Sequence, residues 1–222
     1  MTIETAARPS SDVAFSPAVK AIQSARGSRD AYAKMEARGG WATAITPDLS
    51  AFIAQQRSVF LATASADGQP YIQHRGGRPG FLHVLDEHTI AFADFSGNRQ
   101  YITTGNLSEN RKAQLFLIDY TTQQRVKIWG EAEVVRDSAL IEKLRDAGYA
   151  ARVEQALVFR VTAYDFNCPQ HIPQRFEAED VARALQAREA EIEDLKAALR
   201  NAQTQLAIVT GSPRLSAASP DR

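Results

Sequence analysis

The sequence predicts a mainly β protein whose core is an antiparallel barrel of six or seven short strands. Apolar runs of strand length recur from Ser58 to Phe166, and tight polar turns such as Asp86-Glu87-His88 separate most of them. Two helical inserts interrupt this series, and a helical region flanks it on each side. Strands joined by turns of hairpin length favour a closed or nearly closed antiparallel barrel over a doubly wound sheet.

The residues before the strands divide into a flexible N-terminus, residues 1–16, and a helical region, residues 17–56. A glycine pair breaks the helical region, and Pro47 begins its second part, as proline often does in the first turn of a helix. Three apolar side chains of this second part share one face at helical spacing, namely Leu49, Phe52 and Ile53. We therefore expect these helices to pack on the barrel.

The barrel itself is predicted to occupy residues 57–176. An Asp67-Gly68 turn joins its first two strands as a hairpin. The helical inserts are NRQYITTGNL, after the fourth strand, and SALIEKLRDAG, before the last. The predicted strands are SVFLATAS, PYIQHR, FLHVLD, TIAFAD, AQLFLIDY, RVKIWGEAEVV and ALVFRVTAYDF.

Residues 177–208 contain no glycine or proline and are predicted to form one long amphipathic helix. Residues at alternating steps of four and three form the a/d pattern of a coiled coil over about four heptads. They are Val181, Leu185, Arg188, Ile192, Leu195, Leu199, Ala202 and Leu206. Because such a helix is poorly stable alone, we expect it to pack on a partner helix, with packing onto the barrel as the alternative. Residues 209–222 are predicted to be a disordered tail.

Composition restricts the classes of partner. Lys and Arg total 26 and Asp and Glu total 26, so the formal net charge is zero, and no basic field favours nucleic acid. Cys168 is the only cysteine, which excludes an intramolecular disulfide and fits a reducing compartment. The sequence has neither a signal-peptide pattern nor an apolar run of about 20 residues. We therefore expect a cytoplasmic protein without a membrane partner.

Basic, polar and glycine-rich residues are concentrated between Gln69 and Asn106. Arg75 and Arg99 are suited to a phosphate, because guanidinium groups form charged, bidentate hydrogen bonds. The segment Ser96-Gly97-Asn98-Arg99 is predicted to open a helix whose free amide groups would bind an anion. Gly76-Gly77 would let a ligand approach a strand without an intervening Cβ. On these residues alone, rim arginines beside a glycine bulge are an equally good interpretation.

HRGG, PGF, AFADFSGNRQY and TTGNL together resemble the FMN-binding half of the pyridoxamine 5'-phosphate oxidase-like family, over roughly residues 45–176. The resemblance implies a Greek-key split β-barrel, FMN as the cofactor, and a homodimer with two equivalent sites at its interface. It does not extend to the authentic vitamin B6 oxidase. Asn167-Cys168-Pro169-Gln170-His171 stands where that enzyme has an aromatic and an arginine-histidine pattern for its substrate.

Candidate cofactor-binding residues lie in five segments, four of which the family pattern implies and the last of which, from Asn167 to His171, departs from it. Arg99 falls at a basic phosphate position, Gln124 and Arg125 fall where the family reaches the flavin across the interface, and Trp129 is a possible flat wall for the ring. The full set is His74, Arg75, Gly76, Gly77, Ala93, Asp94, Phe95, Ser96, Gly97, Asn98, Arg99, Gln124, Arg125, Trp129, Asn167, Gln170 and His171.

Cys168 and His171 have a spacing that could ligate a metal ion. His74, His83 and His88 are further candidates, but no ordered spacing supplies a third and fourth ligand. A position beside the flavin or as a cap on the barrel, with Gln170 and His171 as hydrogen-bonding groups, is therefore favoured over metal or thiol catalysis.

The resemblance implies an FMN-dependent oxidoreductase that passes electrons or hydride from a reduced donor to a small acceptor. The sequence offers no obvious general acid or base, which fits chemistry that resides in the flavin. Two alternatives remain open: a flavin-binding or carrier protein without turnover, and a haem-binding split-barrel relative in which His171 is the first candidate ligand. A deazaflavin would also fit such a barrel.

Overall fold

The computed structural model describes residues 8–210. All seven predicted strands are present within this range. They are β1 (Ser58–Ala64), β2 (Pro70–Gly76), β3 (His83–Asp86), β4 (Thr89–Phe95), β5 (Lys112–Asp119), β6 (Gln124–Val135) and β7 (Val153–Asn167). Together they pair into a seven-stranded sheet in the order β2-β1-β5-β6-β7-β4-β3.

Every pairing in the sheet is antiparallel. Neighbours in sequence pair as β1–β2, β3–β4, β5–β6 and β6–β7. The chain also crosses over, so that β1 pairs with β5 and β4 pairs with β7. The predicted mainly β, antiparallel split barrel is therefore confirmed.

Five short helices accompany the sheet. They are α1 (Pro17–Ala25), α2 (Arg29–Ala37), α3 (Pro47–Gln55), α4 (Ile102–Glu109) and α5 (Ser138–Lys143). Helix α3 begins at Pro47 as the sequence predicts, because the Thr46 hydroxyl caps it by accepting the N–H of Leu49 at 3.3 Å. Its Leu49 and Ile53 are fully buried in the barrel core.

Apolar side chains on the inner face of the strands form the core. Strand β1 alternates between partly buried and buried positions, as a strand with one face on a core does. The largest side chains that are almost completely buried include Phe92, Phe159, Leu61, Ile90, Leu115, Leu117, Ile128 and Leu157. A smaller cluster joins α5 to the outer face of β4 and β7 through Ala91, Ala93, Ala156 and Leu144.

Part of the segment predicted to be flexible, residues 1–16, is structured. Ser10–Val13 form a short 3-10 helix, and the Ser10 hydroxyl donates to the carbonyl of Trp41 at 2.6 Å. Residues 1–7 lie outside the described residues.

The chain divides into two units, residues 1–174 and 175–222. The second unit contains α6, Ala178–Thr210, which corresponds to the helix predicted for residues 177–208. Val209 and Thr210, which were assigned to the disordered tail, form the end of this helix, and residues 211–222 lie outside the described residues. In the part of the chain from 8 to 210, no helix is both long and apolar enough to cross a membrane.

We predict that Gly130→Ala destabilises the barrel by about 1–3 kcal/mol, the usual cost of overpacking a core. Gly130 lies at an irregularity between β6 and β7, and a Cβ there would clash with the Arg160 carbonyl oxygen and lie 2.7 Å from the Phe159 ring. Urea unfolding followed by circular dichroism measures the change.

Gly105→Ala is the matched control, since a Cβ at this position in α4 meets nothing within 4 Å. Alanine in a helix is favoured over glycine, so this variant should be unchanged or stabilised by up to about 1 kcal/mol. Equal stability of the two variants would contradict the close packing at Gly130.

Candidate functional site

Some of the candidate residues within the Gln69–Asn106 stretch meet in a small cleft. Strand β2, the end of β4, the loop before α4 and the start of β7 form its walls. The lining residues are Tyr71, Gln73, Arg75, Asp94, Phe95, Gly97, Asn98, Arg99, Gln100, Tyr101, Ile102, Thr103, Thr104, Glu154 and Gln155. The structure thus brings together Arg75, Asp94, Phe95, Gly97, Asn98 and Arg99 of the predicted set.

A mostly buried ion pair lies in the wall of the cleft. The Arg75 guanidinium is 2.9 Å from a carboxylate oxygen of Asp94, and the two side chains are only 19% and 10% exposed. The side-chain amide of Gln155 donates to the other Asp94 oxygen at 2.9 Å and to the Thr104 hydroxyl at 3.1 Å. Three buried atoms of this network have no hydrogen-bond partner among residues 8–210: Arg75 Nε, Gln155 Oε1, and Asp94 Oδ1, whose contact with Arg75 is an ion pair only.

The loop from Ser96 to Tyr101 differs from the prediction, because Ser96-Gly97-Asn98-Arg99 does not open a helix. Helix α4 begins at Ile102. The backbone φ angles of Arg99 and Tyr101 are +60° and +52°, which is the left-handed region, so these residues cannot continue into a right-handed helix. The four residues form an irregular loop, in which the Asn98 side chain accepts the N–H of Gln100 at 3.3 Å.

The cleft of one chain contains both positive and negative charge. Asp94 is paired with Arg75, and Glu154 accepts a hydrogen bond from the Tyr101 hydroxyl at 3.0 Å. This hydrogen bond raises the pKa of Tyr101 above its usual value. Within the described range, Arg99 forms no ion pair, so it is the guanidinium available to an added anion.

Several polar residues of the cleft were not singled out in the sequence. The Thr103 hydroxyl donates to Gln73 Oε1 at 2.9 Å, which ties α4 to β2. Gln73 lies two residues before Arg75 on β2, and the period of two in a strand predicts that their side chains lie on the same face of the sheet. No comparable signal identifies Gln155, which comes from a distant strand.

His74, Gly76 and Gly77 do not line the cleft. His74 points away from it by strand alternation, and its ring lies 5.6 Å from that of Phe60. At Gly77 a Cβ would lie 2.5 Å from the Phe81 side chain, so this glycine admits a neighbouring aromatic residue of the same chain. Ala93 likewise faces the opposite side of β4 from Asp94.

The second group of predicted residues lies near the other end of β7. Arg125 and Asn167 are paired across β6 and β7, and each has a buried polar atom, Nε and Oδ1, without a partner in the described part of the chain. Gln155 and Asn167 are twelve residues apart on β7, which corresponds to roughly 40 Å at the usual rise of a strand. One chain therefore does not bring the two groups together.

The remaining residues of the second group have varied surroundings. The Trp129 ring stacks on Trp41 with centroids 4.7 Å apart and planes inclined by 12°, so one of its faces is covered. Gln124, Gln170 and His171 are exposed, and His171 has a φ of +64°. In the part of the chain that is described, no three His, Cys, Asp or Glu residues cluster as a metal site would require.

A larger cavity of about 290 Å³ lies on the outer side of β4. Its wall is formed by the turn after β2 and by the segment after α5. The lining residues are Gly77, Arg78, Pro79, Gly80, Phe81, His83, Ala93, Phe95, Leu144, Arg145, Asp146 and Tyr149. Burial lowers the pKa of His83, and Lys143 acts in the same direction. Ala93 and Phe95 of the predicted set thus contribute to this cavity.

Comparison with known proteins identifies a family. The family model described as pyridoxamine 5'-phosphate oxidase matches residues 45–170 of the chain. Comparison with curated proteins gives no significant match.

Three solved structures are similar. HupZ of Group A Streptococcus is 19% identical, with 60% of this chain and 99% of that chain covered and a TM-score of 0.47. An FMN-binding protein of Syntrophomonas wolfei is 12% identical, with coverages of 65% and 97% and a TM-score of 0.42. A Clostridium acetobutylicum protein related to general stress protein 26 is 18% identical, with coverages of 57% and 89% and a TM-score of 0.39.

Asp165 near the second group gives a pH-dependent prediction. Burial raises the pKa of this carboxyl above its usual 3.8, and Lys127 across the sheet only partly opposes the effect. A raised folded-state pKa favours folding below the unfolded value, and this contribution is lost as the pH rises through the folded value. Asp165→Asn should therefore be more stable than the wild type at pH 7 and equal to it near pH 3.

Thermal unfolding at a series of pH values measures this difference. Asp67→Asn is a useful control, because hydrogen bonds, the strongest of them from the Ser65 side chain, lower the pKa of this exposed carboxyl. Asp67→Asn should therefore be less stable than the wild type at pH 7, which is the opposite of the change expected for Asp165→Asn. A difference for Asp165→Asn that does not change with pH would contradict the role of burial.

Proposed function

Because this chain belongs to the pyridoxamine 5'-phosphate oxidase family, we propose that it binds FMN and acts as an oxidoreductase. The family match covers more than half of the chain and includes both groups of candidate residues up to Gln170. When bound, FMN would supply the redox chemistry, passing electrons or hydride from a reduced donor to a small acceptor. The observation that carries the proposal is the cleft in which Arg99 is unpaired beside the buried Arg75–Asp94 network.

Arg99 is the main phosphate-binding residue in this proposal. It has no carboxylate partner in the described range, and it stands in an exposed loop with Gly97 and Asn98. A Cβ at Gly97 would meet nothing within 4 Å, so the backbone there is open to a ligand. A dianionic phosphate needs such charged donors to offset its loss of hydration.

Arg75 has a different role, because Asp94 already offsets its charge. Asp94 holds the guanidinium in place and is itself held by Gln155, and the Arg75 Nε remains without a partner in the described chain. The guanidinium thus offers a fixed hydrogen-bond donor at little cost in side-chain entropy. The free Gln155 Oε1 is an acceptor of the kind that suits the polar atoms of the ribityl chain or the ring edge.

The second group reaches the flavin from a second copy of the chain. Arg125 and Asn167 are far from Arg99 within one chain, yet each has a buried polar atom without a partner in the described chain. In an isologous homodimer each of two equivalent sites would take Arg99 from one chain and Arg125 from the other. Gln124, Gln170 and His171 would border the same interface.

The proposed reaction needs no protein acid or base beyond the flavin. Steady-state turnover with a reduced nicotinamide separates an enzyme from a flavin carrier, which would bind FMN without catalysing its oxidation and reduction.

We predict that the purified protein shows flavin absorption and releases about one FMN per chain. Arg99→Ala should weaken FMN binding by about 1.5–3 kcal/mol, which is roughly 10- to 150-fold in Kd, because a hydrogen bond to a charged group is lost. Quenching of flavin fluorescence measures the affinity. Arg160→Ala, at an exposed position of β7, is the control and should bind as the wild type does.

A colourless protein that does not bind added FMN would refute the cofactor assignment. Unchanged affinity of Arg99→Ala would leave FMN binding intact and remove Arg99 from the phosphate site.

The shared site predicts complementation between two defective chains. Arg99→Ala and Arg125→Ala homodimers should each bind FMN weakly at both sites. Coexpressed as a mixed dimer, they should form one site with both defects and one intact site. Titration of the purified mixed dimer should therefore show one tight site per two chains, whereas sites contained within single chains would give none.

A further inference from the structure

Helix α6 carries an apolar stripe that is exposed along its length. The stripe, called the seam below, consists of Val181, Leu185, Arg188, Ile192, Leu195, Leu199, Ala202 and Leu206. Its large apolar members are between 42% and 63% exposed. Such a stripe on a helix of 33 residues is typical of a helix that pairs with another.

The seam assigns heptad positions without ambiguity. Leu185, Ile192, Leu199 and Leu206 occupy a positions, because each follows the preceding seam residue by four. Val181, Arg188, Leu195 and Ala202 occupy d positions. The seam therefore contains one charged residue and one small residue, and these two determine how it can pair with itself.

A parallel pairing with a second copy is unfavourable at both of these positions. In a parallel dimer each d residue faces its own counterpart, so Arg188 would face a second Arg188 in the interior. Two like charges in a partly dehydrated layer repel each other. Ala202 would also face a second Ala202, which leaves that layer underfilled.

An antiparallel pairing removes both conflicts. In this arrangement a positions pack against d positions, and one register matches the whole seam. Val181 then packs against the partner's Leu206, Leu185 against the partner's Ala202, Arg188 against the partner's Leu199, and Ile192 against the partner's Leu195. Every small or charged residue is thus opposite a leucine.

The charges beside the seam agree with this register. The Arg188 guanidinium already turns outward to its own Glu191, at 2.6 Å, so its methylene stem is free to cover an apolar neighbour. Glu189 would lie beside the partner's Lys196, which gives one ion pair on each side of the two-fold axis. A parallel dimer would also allow a Glu191–Lys196 pair, so Arg188 and Ala202 are the residues that decide the direction.

We propose that α6 binds α6 of a second copy of this chain as an antiparallel two-stranded coiled coil in this register. The inference is independent of flavin binding. The ends of the seam distinguish this pairing from a parallel one. Val181 and Leu206 of one chain are about 37 Å apart along the helix, so in the antiparallel pair they are neighbours only between chains.

Disulfide formation in the full-length chain tests the direction of pairing. Starting from Cys168→Ser, which removes the only native thiol, we would coexpress one chain with Val181→Cys and one tagged chain with Leu206→Cys. In a glutathione redox buffer, the mixed disulfide between the two chains should form. Leu206→Cys alone should form no more disulfide dimer than Ala190→Cys, an exposed position on the opposite side of the helix.

A fast Leu206→Cys homodimer would overturn the proposal in favour of parallel pairing. No disulfide above the Ala190→Cys level in either experiment would overturn it in favour of a different partner for the seam. A second measurement checks the seam without cysteines: Leu199→Asp should lower the helical circular dichroism signal, whereas Ala190→Asp should leave it unchanged. Equal behaviour of these two variants would also refute the pairing.

Discussion

The structure depends above all on the pairing of strand β7 with two neighbours. Strand β7 pairs with β6 through residues 156–167 and with β4 through residues 153–160, so it connects the β2-β1-β5-β6 side of the sheet to β4 and β3. Its length also determines where the candidate residues lie, because Gln155 stands at one end and Asn167 at the other. Residues 156–160 pair along both edges, and Gln155 and Asn167 lie on either side of this segment. The separation of the two groups of candidate residues is thus a consequence of the fold, and the proposed homodimer is the arrangement that would unite them.

The buried Arg75–Asp94 pair restricts what the cleft can bind. Removing one partner of such a pair leaves an unpaired charge with little access to water, so each of the two residues depends on the other. The pair also keeps the local charge near zero, which distinguishes the cleft from a simple basic pocket. In the proposed site, an anion would be attracted mainly by Arg99 at the exposed rim, while the interior presents oriented but neutral dipoles. Such a division suits a ligand with a charged end and an uncharged polar body.

Local patterns in the sequence predicted the strands and most helix starts, because burial on one face imposes a period of two on strands and Pro47 fixes the first turn of α3. They failed where backbone conformation overrides residue type. The segment Ser96–Arg99 has the composition of a helix start, yet left-handed φ angles at Arg99 and Tyr101 delay the helix to Ile102. Non-local contacts were also beyond reach. Neither the stacking of Trp41 on Trp129 nor the meeting of Gln155 with Asp94 leaves a trace in nearby sequence.

The two proposed contacts between chains each have a two-fold axis, and their combination limits the possible assemblies. An isologous interface pairs a surface with itself, so each contact alone closes as a dimer. If the barrels and the α6 helices pair within the same two chains, both axes coincide and the dimer is complete. If α6 pairs with a different chain, the two axes differ, and the assembly either closes as a tetramer with crossed two-fold axes or extends as an open chain. Arg188 does not distinguish these assemblies, because it faces Leu199 of the paired helix in each of them.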